Sequence, residues 1–436
     1  MSPAGAIDPC TDHPLDDELP ARLHGELAAF LRRRPQVEQA AELTAELSGL
    51  VLSGGKRLRP TFAWWGWRAA GGASRGPRAE PVLRALIALE LLQACALVHD
   101  DVMDRSATRR GRPTAHRAFA TRHERARWAG DPDHYGECAA ILVGDLALAW
   151  ADDALVTAGL PADALARAWA PWQAMRTEMI AGQHLDLLAG ARREESVERT
   201  LVVARLKTAS YTVQRPLHLG AALADAPPEV TAALCAFGRD IGVAYQLRDD
   251  LLGVFGDEEV TGKPVGDDLR EGKRTPLMAI ALDLARAAGR PDVVRSLRRC
   301  LDGPTDLATA GARLTDARPG DPRATDPRSA VSRPAGPRPT DPRPTDPRPV
   351  DAHPVDARPT DPRPVDAHPV DARSADARMV EEVRELLHDL GAVAVVERRI
   401  TALAARGLRA LARVPLDPAA RGRLVGLADR ATARKR

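Results

Sequence analysis

Apolar residues recur at spacings of three and four along most of the chain. The pattern is clear in VLRALIALELLQACALVHDD (82–101), ECAAILVGDLALAWADDALV (137–156), PLMAIALDLARAAG (276–289) and MVEEVRELLHDLGAVAVVERRITALAARGLRAL (379–411). Such spacing predicts helices, and no alternating β-branched run competes with it. Several segments are apolar nearly all round, which suits helices inside a large bundle. The pattern therefore predicts an all-α fold in a single large domain.

One stretch breaks the pattern. From Thr315 to Arg378 the chain becomes a pentapeptide repeat, as in TDPRPTDPRPVDAHPVDARP, with an aspartate every fifth residue from Asp341 through Asp376. Proline at this density removes backbone donors, and few large apolar groups are available to bury. An extended, disordered insert is expected, and expansion within a surface loop explains it better than a docking role. A helical pattern resumes at once with MVEEVREL, so the insert falls in an inter-helix loop. The expected organisation is 1–52 as N-terminal tail and first helices, 53–314 as the core, 315–378 as the insert and 379–436 as C-terminal helices of the same domain.

Composition narrows the class. The 62 Lys and Arg nearly cancel the 60 Asp and Glu, for a net charge of +2, and aromatics are 3%. Neither a nucleic-acid partner nor a base-stacking platform is expected. The cysteines Cys10, Cys95, Cys138, Cys235 and Cys300 are scattered, which argues against disulfides or a zinc site. The N-terminus has no signal-like region, and no apolar run is read as long enough to span a bilayer. A soluble cytoplasmic protein without membrane insertion is the expectation. Only five of the 62 basic residues are Lys, leaving 57 Arg. In an Arg-dominated chain a retained Lys suggests a place where a compact point charge is wanted.

Two acidic clusters carry candidate chemistry. Asp100, Asp101 and Asp104 end one apolar run, and Asp249 and Asp250 end another in AYQLRDDLLGVFGD, with Asp257 beyond. Carboxylates at a helix C-terminus oppose the macrodipole and repel one another. A hard divalent cation reverses both effects, and an all-carboxylate site with cations nearby fits Mg²⁺ bridging to phosphate oxygens. A solvated acidic helix end is the plain alternative for either cluster alone. Four of the lysines, Lys56, Lys207, Lys263 and Lys273, fall in glycine-rich or polar punctuation between helices. In SGGKRLRP, Gly54 and Gly55 would let backbone approach a diphosphate, although a turn before a proline-started helix also accounts for the segment.

Taken in order, GGKRLRP, ELLQACALVHDDVMDRSATRRGRPT, GQHLDLL, KTAS, YQLRDDLLGVFGD and GKPVGDDLREGKRTP resemble the motifs of the trans-isoprenyl diphosphate synthases, or polyprenyl synthetases. The likeness covers residues 50–314 well and 379–433 more loosely, and is nearest to the geranylgeranyl and farnesyl diphosphate synthases. It implies a helical bundle of the isoprenoid synthase type with a central cavity, acting as a homodimer. It implies Mg²⁺ on Asp100, Asp104 and Asp249, with Asp101 and Asp250 assisting. Arg109 is implied to hold the allylic diphosphate, and Lys56, Arg59, Arg110 and Gln93 the isopentenyl diphosphate. Lys207, Lys263 and Lys273 would grip the leaving group, and Thr208 and Gln246 would line the carbocation region near Gln183 and Asp186. His99 reads as a hydrogen-bonder to the acids rather than a general base. Gly253 stands where the second motif often carries a third aspartate, so one carboxylate is missing there.

The resemblance implies head-to-tail condensation of isopentenyl diphosphate with allylic diphosphates. Ala96 and Cys95 are small, and with Leu92 beneath them, backed by Leu146 or Leu148, they would set the product at geranylgeranyl diphosphate. Farnesyl or longer products are the alternatives. A terpene cyclase would need a different second metal motif, and a non-catalytic subunit would be expected to lose aspartates or lysines. Neither pattern is present.

Overall fold

In the computed structural model the described residues are 15–34, 37–109, 111–256, 266–302 and 369–432, with side chains from residue 377 onward in the last segment. The chain divides into two units, 1–304 with 376–436 and 305–375. Of the second unit only 369–375 are described, as the first turns of a helix.

Helices account for nearly all the described residues of the first unit. In chain order they are α1 (Leu15–Arg32), α2 (Ala41–Leu52), α3 (Leu58–Ala69), α4 (Ala79–Leu86), α5 (Ala88–Met103), α6 (Ala115–Ala126), α7 (Pro132–Val156), α8 (Ala162–Ala191) and α9 (Val197–Ala204). A π-helical segment, Arg205–Gln214, leads into α10 (Arg215–Leu223) and α11 (Pro228–Phe255). Then come α12 (Asp267–Arg270), α13 (Pro276–Ala287), α14 (Pro291–Asp302), α15 (Pro369–Asp389), α16 (Ala392–Ala412) and α17 (Pro418–Thr432). Among the described residues the one sheet is a two-stranded antiparallel ribbon pairing Thr108–Arg109 with Arg112–Pro113.

The helix starts follow local chemistry. Asp131 accepts from the Asp133 amide ahead of Pro132, and Thr275 accepts from the Met278 amide ahead of Pro276. Both pair a polar N-cap with proline at the first helical position.

The core has two apolar clusters that meet along α11. One gathers α1–α8, α10, the first half of α11 and α17, with Trp64, Trp172, Phe62 and Phe237 fully buried. The other gathers the second half of α11 with α12–α16. α11 is 28 residues long, about 40 Å at 1.5 Å per residue, so it runs through both.

Two expectations need correction. The helix α15 begins at Pro369, inside the stretch expected to stay extended to 378. No proline follows Pro369 until Pro415, so Pro369 takes a helix-starting position and the DARSADAR that follows is free to coil. The run Ala79–Met103 is, by length and composition, apolar enough to cross a membrane, contrary to the sequence reading. Its most apolar window is 72% buried inside the protein, so it is spent on the core.

Candidate active site

Four elements bring charged side chains to one place. α5 delivers Asp100 and Asp101 from its last turn, with Asp104 capping its C-terminus. α8 delivers Gln183 and Asp186, and the π segment delivers Lys207. The segment after α11 delivers Asp268 and Lys273.

Lys207 Nζ lies 2.9 Å from Asp100 Oδ1 and 2.6 Å from Asp186 Oδ2, and the Gln183 amide donates to the same Asp100 oxygen at 3.0 Å. Lys273 Nζ lies 2.5 Å from Glu271, 3.5 Å from Asp268 and 3.8 Å from Asp104. One ammonium therefore touches the acidic end of α5 and the segment after α11, and its charge also acts on Asp250 of the second acidic motif, which places both motifs near it. Arg109, on the ribbon, donates from Nε to Asp101 at 2.7 Å and reaches Asp100 at 3.6 Å.

The electrostatics follow from burial and partners. Burial pushes Asp104 up to about 6, helped by the neighbouring charge of Asp100. Burial likewise raises Asp101 against the pull of Arg109. At Asp100 burial works in the same upward direction, but Lys207, Arg109 and Lys273 outweigh it and hold the group below its usual range. Burial disfavours the charge on Lys207 and Lys273, yet the carboxylates around them more than offset it, so both stay protonated. Asp250 is the extreme case. It is buried, its carboxyl is raised well above normal by burial, Gln246 donates to Oδ1 at 2.7 Å, and Oδ2 has no hydrogen-bond partner. An orphaned buried carboxylate oxygen is costly and calls for a cation or an ordered polar ligand.

Among the described residues no three acidic, His or Cys side chains already stand at metal-binding spacing. The donor set is nevertheless all hard oxygen on two facing walls, with the Asp250 oxygen left open. That chemistry fits Mg²⁺ held by Asp100 and Asp104 on one wall and the exposed Asp249 on the other.

The π segment is what aims Lys207. A Cβ on Gly182 of α8 would overlap the Lys207 backbone nitrogen, and one on Gly242 of α11 would lie 2.6 Å from the Ala209 carbonyl. The segment is thus clamped by glycines on both sides. π turns often mark functional sites because they re-aim side chains that an α-helix would place elsewhere.

The other sequence-named residues fall as follows. Gly54 and Gly55 have φ of 97° and 135°, which requires glycine, and the exposed Lys56 follows them. The Arg59 guanidinium stacks 4.2 Å over the Tyr211 ring and donates to Thr212 at 2.8 Å. Gln93 accepts from the Tyr211 hydroxyl at 3.0 Å. Thr208 and Gln246 are half-buried. Leu92 is fully buried, whereas Ala96 shares a partly open face of α5 with Gln93 and Asp100. Cys95 is turned elsewhere. It sits 3.8 Å from His99, whose ring contacts the Ile141 carbonyl at 3.1 Å and packs on Gly144 of α7. Leu146 and Leu148 of α7 are partly buried against the same core. Arg110, Asp257 and Lys263 lie outside the described residues.

Sequence reasoning missed three residues that shape the site. Arg57 is buried, pairs with Glu90 and donates to the Val51 carbonyl at 2.8 Å, tying the Gly54–Gly55 loop to α5. Asp268 and Glu271 anchor Lys273. The signal was available in DDLREGK, where acids precede the lysine at turn spacing.

With this geometry in place, comparison with known proteins is direct. The polyprenyl synthetase profile matches residues 40–303. A geranylfarnesyl diphosphate synthase of Aeropyrum pernix is 34% identical over 248 residues, covering 56% of this chain and 71% of that one. A (2E,6E)-farnesyl diphosphate synthase of Mycobacterium bovis is 37% identical over 239 residues, 54% of this chain, and the match spans 59% of that relative's length. A geranylgeranyl pyrophosphate synthase of Corynebacterium glutamicum, solved with isoprenyl diphosphate and magnesium, superposes with a TM-score of 0.75 at 38% identity, covering 96% of this chain and 99% of that one.

Proposed function

The chain belongs to the polyprenyl synthetase family and is a trans-prenyltransferase, and from that premise we propose that it condenses isopentenyl diphosphate with allylic diphosphates in a Mg²⁺-dependent reaction yielding mainly geranylgeranyl diphosphate. The observation that carries this reading is Lys273, whose ammonium reaches Asp104 of the first acidic motif and Asp268 of the segment after α11, and whose charge also acts on Asp250 of the second motif.

Magnesium, when bound, would neutralise the diphosphate and favour its departure. The chain's own residues do the rest by position and charge. Lys207 and Lys273 are held charged by carboxylates, and both can turn from them to diphosphate oxygens as these enter. Arg109, fixed by Asp101, presents its remaining donors beside Asp100. Lys56 and the Tyr211-stacked Arg59 hold the second diphosphate, with Gln93 alongside. The allylic C–O bond breaks, and the isopentenyl double bond attacks the allylic carbon to form the new C–C bond. The proton then lost passes to the released diphosphate. His99 is turned to α7 and takes no part. Preorganised charge of this kind is enough, because ionisation of an allylic diphosphate needs no protein nucleophile.

Product length is assigned from α5. Ala96 is the first side chain below the acids on the face shared with Gln93 and Asp100, and its methyl leaves room for a chain to pass, while the buried Leu92 lies one turn deeper. Ala96→Phe is expected to shorten the main product to farnesyl diphosphate or below. Cys95→Phe, on the face packed against α7, is expected to leave length unchanged and to cost about 1–3 kcal/mol of stability by overpacking. Chromatography of the dephosphorylated alcohols and a thermal melt read both outcomes. An unchanged profile in Ala96→Phe would remove that face of α5 from the tunnel.

We also assign a cytoplasmic homodimer. Cys95, Cys138, Cys235 and Cys300 are free, as suits a reducing compartment. Ile141, Leu142 and Val156 on α7 and Ile180 and Leu187 on α8 are each 44–55% exposed. The two helices are linked by the Trp172–Asp152 hydrogen bond at 2.6 Å. Their open apolar faces are what a second copy would cover.

A further inference from the structure

Lys273 stands on a segment that has little structure of its own to hold it. The helix before it, α12, has four residues, too few to be stable alone. Gly272, at φ 63°, turns the chain out of that helix, and Lys273 and Arg274 lead on to Thr275, the cap of α13. What this segment rests on therefore decides where the Lys273 ammonium is held.

It rests on the last turn of α14, where three consecutive residues meet it. The Cys300 thiol, which burial pushes up to about 11 and so keeps protonated, donates to the Leu269 carbonyl at 3.4 Å. The Leu301 carbonyl lies so near Gly272 that a Cβ there would come within 2.7 Å of it. Asp302 Oδ1 accepts from Arg274 at 2.6 Å, and the Arg274 side chain is only 6% exposed. Asp302 Oδ2 also lies 3.4 Å from Arg193, just beyond the end of α8. α8 carries Asp186, a partner of Lys207. One carboxylate thus ties the segment that bears Lys273 to the helix that steadies Lys207. A charge-assisted bond to a buried guanidinium is a strong, directional restraint, and Lys273 is the residue next to that guanidinium.

We infer that Asp302 is a positioning residue for the reaction: through Arg274 it sets the place of Lys273 at the departing diphosphate, without touching substrate or metal itself. The inference rests on the proposed reaction and extends it to a residue beyond the sequence motifs, at the far end of α14 from the helix cap that follows Lys273.

The test uses the full-length protein, with Mg²⁺–pyrophosphate binding read by calorimetry, turnover by steady-state kinetics and stability by thermal melts. Asp302→Ala is expected to weaken Mg²⁺–pyrophosphate binding about tenfold and to lower kcat about a hundredfold, with the KM for isopentenyl diphosphate unchanged. That is the scale of loss when an orienting partner is removed or a positioned group shifts by about 1 Å. Asp302→Asn keeps the shape and one acceptor oxygen, and should fall between Asp302→Ala and wild type. Arg274→Met keeps most of the buried length without the charge, and should reproduce the Asp302→Ala losses. The double variant Asp302→Ala with Arg274→Met should lose no more than either single change, because the two residues act as a unit. Val293→Ala, at a buried position about two and a half turns earlier on α14, is the control. It should lower the melting temperature and leave binding and kcat as they are. Should Asp302→Ala not fold, Asp302→Asn and Arg274→Met carry the same comparison. Wild-type binding and kcat in the Asp302 variants, alongside lost binding in Lys273→Ala, would overturn the role of Asp302 and leave the family reaction standing. Losses that add in the double variant, or equal losses in Val293→Ala, would also overturn it. Absence of Mg²⁺–pyrophosphate binding by the wild-type chain would overturn the functional reading itself, and this inference with it.

Discussion

Asp104→Ala is expected to lower turnover about a thousandfold while raising the melting temperature of the metal-free protein. The activity loss follows from removing one of the carboxylates that would hold magnesium on the α5 wall, at a site where catalysis depends on stabilising a departing charge. The stability gain follows from the carboxyl's position. Its folded-state value of about 6 lies above the ordinary value of about 4. Ionised Asp104 therefore works against the fold, by an amount that sets in as pH rises past about 4 and is complete above about 6. The alanine variant should gain on wild type over that window and lose its advantage in more acidic buffer. Asp100→Ala should match the activity loss but not the stability gain, since it takes a partner from Lys207 and leaves a half-buried ammonium with Asp186. Steady-state kinetics and melts at pH 5 and 7.5 separate the two. Near-normal turnover in either variant would dismantle the site.

Gly182→Ala is the second large effect, and it acts through geometry alone. The new methyl would meet the Leu206–Lys207 backbone, which can yield only if the π segment moves away from α8. Overpacking against backbone costs about 1–3 kcal/mol or more. The same movement draws the Lys207 ammonium off Asp100 and Asp186, and misplacing a positioned group by about 1 Å can cost about a hundredfold in rate. Gly190→Ala in the same helix is the control. Its Cβ would meet nothing within 4 Å, and it should be neutral or slightly stabilising. Equal behaviour of the two variants would contradict the clamp.

Much of this was legible in the sequence because the chemistry is strongly patterned. Acid-tipped apolar runs, lysines retained in an Arg-rich chain and a 3.6-residue period all survive in one dimension. The π segment did not, because a one-residue widening of a helix leaves the apolar spacing almost intact; Gly182 and Gly242 were its only traces. The turning of Cys95 and His99 toward α7 depends on which neighbour packs there, which spacing along α5 does not encode. Asp268 was hidden for a different reason. It stands fifteen residues further along the chain, so only the fold brings its carboxylate against Gly253.

The site formed by the two acidic motifs and their lysines couples departure of an allylic diphosphate to formation of one new carbon–carbon bond with isopentenyl diphosphate. The most direct measurement of that coupling is the stoichiometry of diphosphate release against prenyl chain growth, with purified protein, an allylic primer and isopentenyl diphosphate, in Mg²⁺ and in chelator. The account predicts one diphosphate released for each five-carbon unit added, growth ending mainly at geranylgeranyl diphosphate, and no release in chelator. Diphosphate release from the allylic primer alone with a hydrocarbon product, or elongation that persists without a divalent metal, would contradict it.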